Sequence, residues 1–178
     1  MALDFELHEY TADGTGAGTN VATSGIKYGG SSTSPTLDPA ADPLVASTST
    51  TVRSIKKNHR GRFISSTNNY TVSSVSVTRG GTDLSGTGIA SSVLFVIGNT
   101  FQTLNTTAIS GSPDMDTSAK SFLVGEGGSA PSASTVTLTG SSSEVGYTQY
   151  LSTQIQIGTS SNTGASGITY TFQYTVTS

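Results

Sequence analysis

The stretch ITYTFQYTVT, residues 168–177, has the clearest structural pattern in this chain. Apolar and polar side chains alternate through it without a break, and the apolar ones are Ile168, Tyr170, Phe172, Tyr174 and Val176. Such alternation places one set of side chains on each face of a β-strand. The preceding stretch YLSTQIQIG, residues 150–158, places Leu151, Ile155 and Ile157 on one face in the same way. The sequence therefore predicts two strands at this end of the chain.

The composition extends this prediction to the whole chain. Ser and Thr contribute 60 of the 178 residues and Gly another 21, while apolar repeats at helical spacing are scarce. Thr and Val favour strands, and Ser and Gly favour turns. Short β-prone runs predict strands near residues 44–54, 62–66, 70–79, 91–97, 100–104, 120–124, 134–139, 147–157 and 168–177. The expected fold class is all-β, a two-sheet antiparallel sandwich or jelly roll.

One predicted strand contains a change of phase. In YTVSSVSVTR the apolar positions are Tyr70, Val72, Val75 and Val77. The spacing increases by one residue between Val72 and Val75, so the strand has to accommodate an extra residue there. A β-bulge or a bend is therefore expected between these two valines.

The first 43 residues divide into a strand and a long irregular segment. ALDFELHEYT alternates, with Leu3, Phe5 and Leu7 on one face, and predicts a half-buried strand. The segment from Ala12 to Pro43 is rich in Gly, Ser and Pro, and fully extended it reaches up to about 100 Å. We therefore expect an N-terminal strand and extended arm (1–43) followed by a β-sandwich domain (44–178). The arm would let the strand pair on a neighbouring subunit.

Several functional classes are disfavoured by what the chain lacks. It has no cysteine, so disulfides, thiolate metal sites and a Cys nucleophile are excluded. No apolar run approaches the roughly 20 residues that span a bilayer. The start, MALDFELHEY, is acidic where a secretory signal is basic and then apolar, so we expect a chain that is not exported.

The residues suited to catalysis are few. Only His8 and His59 offer a base at neutral pH, and no G-x-S-x-G nucleophile elbow is present. The glycines of DGTGAG, residues 13–18, precede no helical pattern and indicate a flexible segment rather than a dinucleotide site. In SPDMDT, Asp114 and Asp116 suit either a solvated turn or a calcium site. We expect neither enzymatic activity nor a cofactor.

The run RSIKKNHRGRF, residues 53–63, concentrates positive charge. It contains five of the eight Lys and Arg residues, so its candidate docking side chains are Arg53, Lys56, Lys57, His59, Arg60 and Arg62. A solvated loop and a docking surface for an acidic protein are both consistent with this run. A third possibility is that it lies against the acidic first strand, in the same chain or in a neighbour. Nucleic acid and membranes fit less well, because the net charge is −3 and Phe63 is the only aromatic residue of the run.

The C-terminal stretch VGYTQYLSTQIQIGTSSNTGASGITYTFQYTVTS resembles the closing hairpin of small Ser/Thr/Gly-rich β-sandwich proteins from the virions of tailed bacteriophages. In those proteins a Tyr-containing strand passes through a Gly/Ser/Asn turn into a final strand with alternating aromatic residues. Some of them are capsid decoration (cement) proteins, and others belong to tails or fibres. The resemblance assigns no individual functional residue.

This resemblance implies a virion structural protein, most simply a decoration protein that clamps adjacent capsomers on the outer shell. Its expected partners are the major capsid protein and further copies of itself, for example in a trimer, and its expected location is the virion. The alternative is a tail or fibre protein, or a surface module that binds a carbohydrate or a receptor. Tyr10, Tyr28 and Tyr147 are the aromatic residues to examine for such a site, because they lie outside the clearest apolar phases.

Overall fold

The computed structural model describes residues 3–12, 18–80, 91–110, 114–127, 130–140, 145–159 and 168–178. Twelve strands and no helix form within these ranges. They are β1 (Asp4–Tyr10), β2 (Thr19–Asn20), β3 (Val52–Arg53), β4 (Lys57–Ile64), β5 (Tyr70–Gly80), β6 (Ser91–Gly98), β7 (Lys120–Ser121), β8 (Val124–Glu126), β9 (Thr135–Leu138), β10 (Val145–Thr148), β11 (Tyr150–Ile157) and β12 (Thr169–Thr177). Accordingly, none of the described residues belongs to a helix long and apolar enough to cross a membrane.

The strands form two antiparallel sheets that pack as a sandwich. The large sheet has eight strands and contains the path β2-β1-β4-β10-β8, with β11 also pairing β3, β4 and β6. The small sheet has four strands, in which β5 lies between β12 on one side and β7 and β9 on the other. The prediction of an all-β, two-sheet antiparallel sandwich is confirmed.

Strand β4 occupies the centre of the large sheet. On one side all seven residues of β1 pair with it, from Asp4 opposite Ile64 to Tyr10 opposite Asn58. On the other side it pairs β10 near Phe63 and β11 near Lys57. Residues 57–63 therefore lie in a strand with neighbours on both edges, and residues 54–56 precede it as a buried connection and not as a surface loop.

The small sheet contains the bulge that the sequence predicts. Ser74 of β5 has a positive φ of 52°, and the register with β12 shifts between Gln173 and Thr175. The extra residue allows both Val72 and Val75 to be buried, at 0% and 2% exposure. The predicted irregularity between these valines is confirmed.

The apolar core lies between the two sheets and includes Phe63 and Val72, which are fully buried. The Phe5 ring packs against Phe63, with ring centroids 5.2 Å apart, and against Phe172 of the small sheet at 5.6 Å. Gly61 makes this packing possible, because a Cβ atom there would lie 2.8 Å from a ring carbon of Phe5. Contacts between β1, β4 and β12 thus join the two sheets near this edge of the sandwich.

Five strand predictions differ from the structure, and two of these, 120–124 and 147–157, each correspond to a pair of strands, β7 with β8 and β10 with β11. Of residues 44–54 only Val52–Arg53 form a strand, residues 100–104 form none, and β4 begins at Lys57 where a start at 62 was expected. The beginning of β4 was not predicted because KKNHR is a run of charged residues, and such a run ordinarily indicates a solvated segment. Register with the acidic strand β1 makes this charged sequence compatible with a central position.

The described residues before residue 44 include a strand of the large sheet and buried side chains. Strand β1 lies inside the large sheet, and in the following segment Val21 and Leu37 are buried at 1% and 9% exposure. Residues 13–17 lie outside the described part of the chain. The large sheet contains strands from both sides of residue 43, and the expected division into an N-terminal strand and arm (1–43) and a β-sandwich domain (44–178) stays a prediction. Exchange of Leu3, Phe5 and Leu7 with a neighbouring subunit stays a prediction.

Candidate functional site

Three ionisable side chains meet inside the sandwich, and we call Glu9, Lys57 and His59 the Glu9 cluster. Lys57 Nζ lies 2.9 Å from one oxygen of the Glu9 carboxylate, and His59 Nε2 lies 3.2 Å from the other. Each of the three side chains is at most 1% exposed. The register explains the meeting, because Glu9 of β1 lies opposite His59 of β4 and alternate residues share a face.

The charges of the Glu9 cluster balance when the histidine is neutral. A proton on His59 Nε2 is donated to Glu9, and His59 Nδ1 has no hydrogen-bond partner. The neutral tautomer with the proton on Nε2 avoids burying an unpaired N–H group. Lys57 also donates to the carbonyl oxygen of Ser34, at 3.0 Å, so it attaches the irregular segment to the sheet.

A hydroxyl network lies next to the Glu9 cluster. The Tyr28 hydroxyl lies 2.6 Å from Thr153 Oγ1 and 2.9 Å from the hydroxyl of Tyr170. Burial raises the pKa of Tyr28 well above its usual value and raises the pKa of Tyr170 to about 12. Since Thr153 lies opposite Lys57 in the β11–β4 register, the polar interior continues from one strand to the next.

The opposite face of the large sheet holds the two arginines of β4. The Arg60 guanidinium carbon lies 4.8 Å from the ring centroid of Tyr147 and 4.9 Å from that of Tyr150, and its Nε donates to the Thr148 carbonyl. Arg62 Nη1 lies 3.2 Å from Glu6 Oε2. These contacts hold both arginines against their own sheet, although each remains half-buried and within reach of solvent.

The structure does not bring the six predicted docking residues together as an exposed charged surface. Lys56, Lys57 and His59 are buried, at 5%, 1% and 0% exposure. Lys56 donates to Asn105 Oδ1 at 2.9 Å, and Arg53 donates from Nε to Gln156 Oε1 at 2.8 Å. Only the third interpretation, contact with the acidic first strand of the same chain, describes the observed contacts of Lys57, His59 and Arg62. Docking of a partner at the half-buried Arg53, Arg60 and Arg62 stays a prediction.

The remaining candidate residues are placed as follows. Tyr10 is buried at 4% exposure, Tyr28 is half-buried with its hydroxyl bonded to Thr153 and Tyr170, and Tyr147 is half-buried on the outer face. Asp116 accepts hydrogen bonds from Lys120 Nζ and from Ser118, and the Lys120 contact, the largest cause, lowers the pKa of its carboxyl. Among the described ranges no three His, Asp or Glu side chains converge as metal ligands.

An uncovered edge runs along one side of the sandwich, and we call it the β12 edge. Among the described residues β12 pairs only with β5, so its other side has no strand beside it. Tyr174 and Val176 are 36% and 37% exposed, which is high for the apolar phase of a strand. Phe5 contacts the Tyr174 ring at 5.4 Å, so the β12 edge lies directly over β1 of the large sheet.

The sequence pointed to the charged residues of β1 and β4 but not to the buried neutral polar residues of β11. Thr153, Ser152 and Gln154 are each 0% exposed in β11, and Gln154 Nε2 donates to the Ser54 carbonyl at 2.8 Å. Their signal was a strand in which polar residues occupy both phases, YLSTQIQI. Such a strand can be buried only when hydrogen-bonding groups face its side chains on both sides of the sheet.

Comparisons of this chain with protein-family models, with curated proteins and with solved structures give no significant match.

Proposed function

We propose that this chain is a structural protein of a virus particle, a decoration protein that joins adjacent capsomers on the outer shell. The observation that supports this best is the β12 edge. Among the described residues no strand pairs with the outer side of this nine-residue strand, and the exposed side chains of Tyr174 and Val176 lie on it. A protein that works by lying against other chains needs such a surface.

The chemistry of β12 is unusual for an edge strand. Soluble proteins ordinarily protect long edges with Lys, Pro, inward-pointing charges or very short strands, because an open edge pairs with other chains. TYTFQYTVT contains no charged residue and no proline. An edge without these protections is typical of a strand that is covered in the assembled state.

The charges of β4 support the same function indirectly. Lys57 and His59 face Glu9 in the interior, and Arg62 is paired with Glu6. Because these charges are engaged within the chain, we expect assembly, between copies of the chain and with the shell, to depend on strand pairing and apolar contact. Binding of that kind depends only weakly on salt, whereas docking through exposed charges weakens as salt rises.

The test uses virus particles released by cells that encode the chain. Antibodies against the chain should label the capsid surface in immunogold electron microscopy. Purified chain should co-sediment with particles from which it has been removed, and to a similar extent in 0.15 M and 1 M NaCl. Exposed charges interact over a Debye length of about 8 Å at the lower salt concentration and about 3 Å at the higher one. Absence of the chain from purified particles would overturn the proposal.

A second candidate, a tail or surface module that binds a carbohydrate, is favoured by one observation. Tyr147 is half-buried and lies beside both arginines, with Arg60 at 4.8 Å and Arg62 at 5.7 Å from its ring centroid. An aromatic ring next to guanidinium groups suits a sugar that carries a carboxylate. Binding on a glycan array that disappears in Tyr147→Ala and persists in Tyr174→Ala would favour this candidate over decoration.

A further inference from the structure

We infer that β12 pairs with β12 of a second copy, antiparallel across a two-fold axis at Gln173. The two small sheets would then become one continuous eight-stranded sheet. This inference deepens the proposed function and rests on it, because it names the partner that covers the β12 edge. The particle surface would receive a dimer rather than single chains.

The sequence of β12 is complementary to itself in this register. With Gln173 opposite Gln173, the apolar phase places Phe172 against Tyr174 and Tyr170 against Val176. The polar phase places Thr171 against Thr175 and Thr169 against Thr177. Thr–Thr pairs and pairs of an aromatic residue with a second aromatic or a β-branched residue are favourable across antiparallel strands. Every position of the nine-residue strand therefore meets a suitable partner.

Charge distinguishes β12 from β1, the strand of the large sheet that lies next to the β12 edge. A self-pairing of β1 would bring Asp4 and Glu6 of two chains together, and like charges across strands are unfavourable. Self-pairing of β12 opposes no charges at all. Among these two strands, only β12 is suited by charge to receive a second copy of itself.

Pairing with β5 orders the backbone of β12 for such a partner. Strand β12 is already held in register by β5 over most of its length, from Thr169 opposite Gly80 to Thr177 opposite Thr71. It is therefore an ordered template, and pairing requires no rearrangement of the described strands. Pairing would also cover Tyr174 and Val176, the two most exposed residues of its apolar phase.

Sedimentation of the purified chain tests the inference. We expect a concentration-dependent dimer, and we expect Gln173→Lys and Gln173→Glu each to weaken it at least tenfold, since like charges would then face each other at the axis. An equimolar mixture of the two variants should recover dimers, because Lys and Glu would now be opposed. Thr135→Lys is the matched control: this exposed residue of β9 lies in the same sheet, across β5 from β12, and its substitution should leave the dimer unchanged.

A cysteine cross-link tests the position of the axis. The chain has no cysteine of its own, so Gln173→Cys introduces a single thiol. Directly opposed residues of antiparallel strands have Cα atoms about 4.5–5.5 Å apart, which suits a disulfide. Mild oxidation should convert this variant to a covalent dimer, and a Thr135→Cys variant should stay monomeric under the same conditions.

Two results would overturn the inference: a wild-type chain that is monomeric at every concentration tested, or a dimer that Gln173→Lys leaves intact. Neither result decides the proposed function, which is measured separately by co-sedimentation with particles. Monomeric chain that binds particles, and loses this binding in Gln173→Lys, would mean that a strand of another protein occupies the β12 edge. A dimer that is never found on particles would instead retain the pairing and remove the proposed function.

Discussion

Strands β4 and β12 differ in a way that reverses the usual relation between charge and exposure. Strand β4 carries Lys57, Arg60 and Arg62, yet it lies at the centre of the large sheet with its first three residues buried. Strand β12 carries no charged residue, yet it lies at the edge of the small sheet and most of its residues are exposed. Exposure in this protein is therefore decided by what each strand pairs with.

A chain with few apolar residues fills part of its interior with paired charges. Leu, Ile, Val and Phe total only 37 of 178 residues. Part of the space between the sheets is filled by Phe63, Val72 and Leu151, and another part by Glu9, Lys57 and His59. Buried ions contribute to a stable fold only when each is paired, so this part of the interior depends on every partner being present.

The largest expected effect comes from breaking the Glu9 cluster. Lys57→Met leaves the buried Glu9 carboxylate without its cation and should lower the free energy of unfolding by about 3–5 kcal/mol. Urea denaturation measures this change. Adding Glu9→Gln to Lys57→Met should restore part of the loss, since the unpaired charge is then removed.

The control for this prediction is a second lysine with nearly the same distance to its carboxylate. Lys120 Nζ lies 2.8 Å from Asp116 Oδ1, but Asp116 is 65% exposed. Lys120→Met should therefore change stability far less than Lys57→Met, because solvent screens an exposed pair. Equal effects of the two substitutions would contradict the view that burial gives the Glu9 cluster its importance.

One valine on β5 and one on β12 allow a buried and an exposed position to be compared directly. Val72 of β5 and Val176 of β12 lie opposite each other, and they are 0% and 37% exposed. Val72→Thr buries a hydroxyl in the core and should cost about 1–3 kcal/mol, whereas Val176→Thr should change the stability of the monomer by about 0.5 kcal/mol or less. Thermal unfolding at low protein concentration measures both, and a large loss in Val176→Thr would show that β12 belongs to the core.

The tyrosine network should make stability depend on alkaline pH. Burial raises the pKa of Tyr28 and Tyr170 above the value of about 10 found in an unfolded chain, so the folded form keeps protons that the unfolded form releases. Their contribution is present in full below about pH 10 and is lost as the pH rises through the folded pKa, about 12 for Tyr170. Melting temperatures from pH 8 to 11.5 should therefore decline, and they should decline least in the double variant Tyr28→Phe/Tyr170→Phe. An equally steep decline in that variant would assign the effect to other groups.

A small effect is expected on the outer face of β4. Arg60→Lys removes the Nε donor to the Thr148 carbonyl and the planar guanidinium beside Tyr147 and Tyr150. A loss of about 0.5–1 kcal/mol is expected, because a half-exposed cation–π contact contributes about that much. Chemical denaturation checks it. No loss at all would mean that Arg60 is available to a ligand without cost to the fold.

Two local features of the fold could be predicted from the sequence. The alternation in residues 168–177 predicted β12, and the change of phase after Val72 predicted the bulge at Ser74. Both are local patterns, and side-chain periodicity records them directly. The beginning of β4 was missed because KKNHR has the local pattern of a solvated segment, and only its pairing with β1 makes it a central strand.

By itself the sequence determined that this protein is all-β, where its most regular strands lie, and that its charge is concentrated in residues 53–63. Only the tertiary structure decided that Lys57 and His59 face Glu9 in the interior while the uncharged strand β12 lies at the edge. The physical reason is that strand pairing joins residues about 50 positions apart. Whether a charge is buried depends on the partner that this pairing supplies, which no local pattern contains.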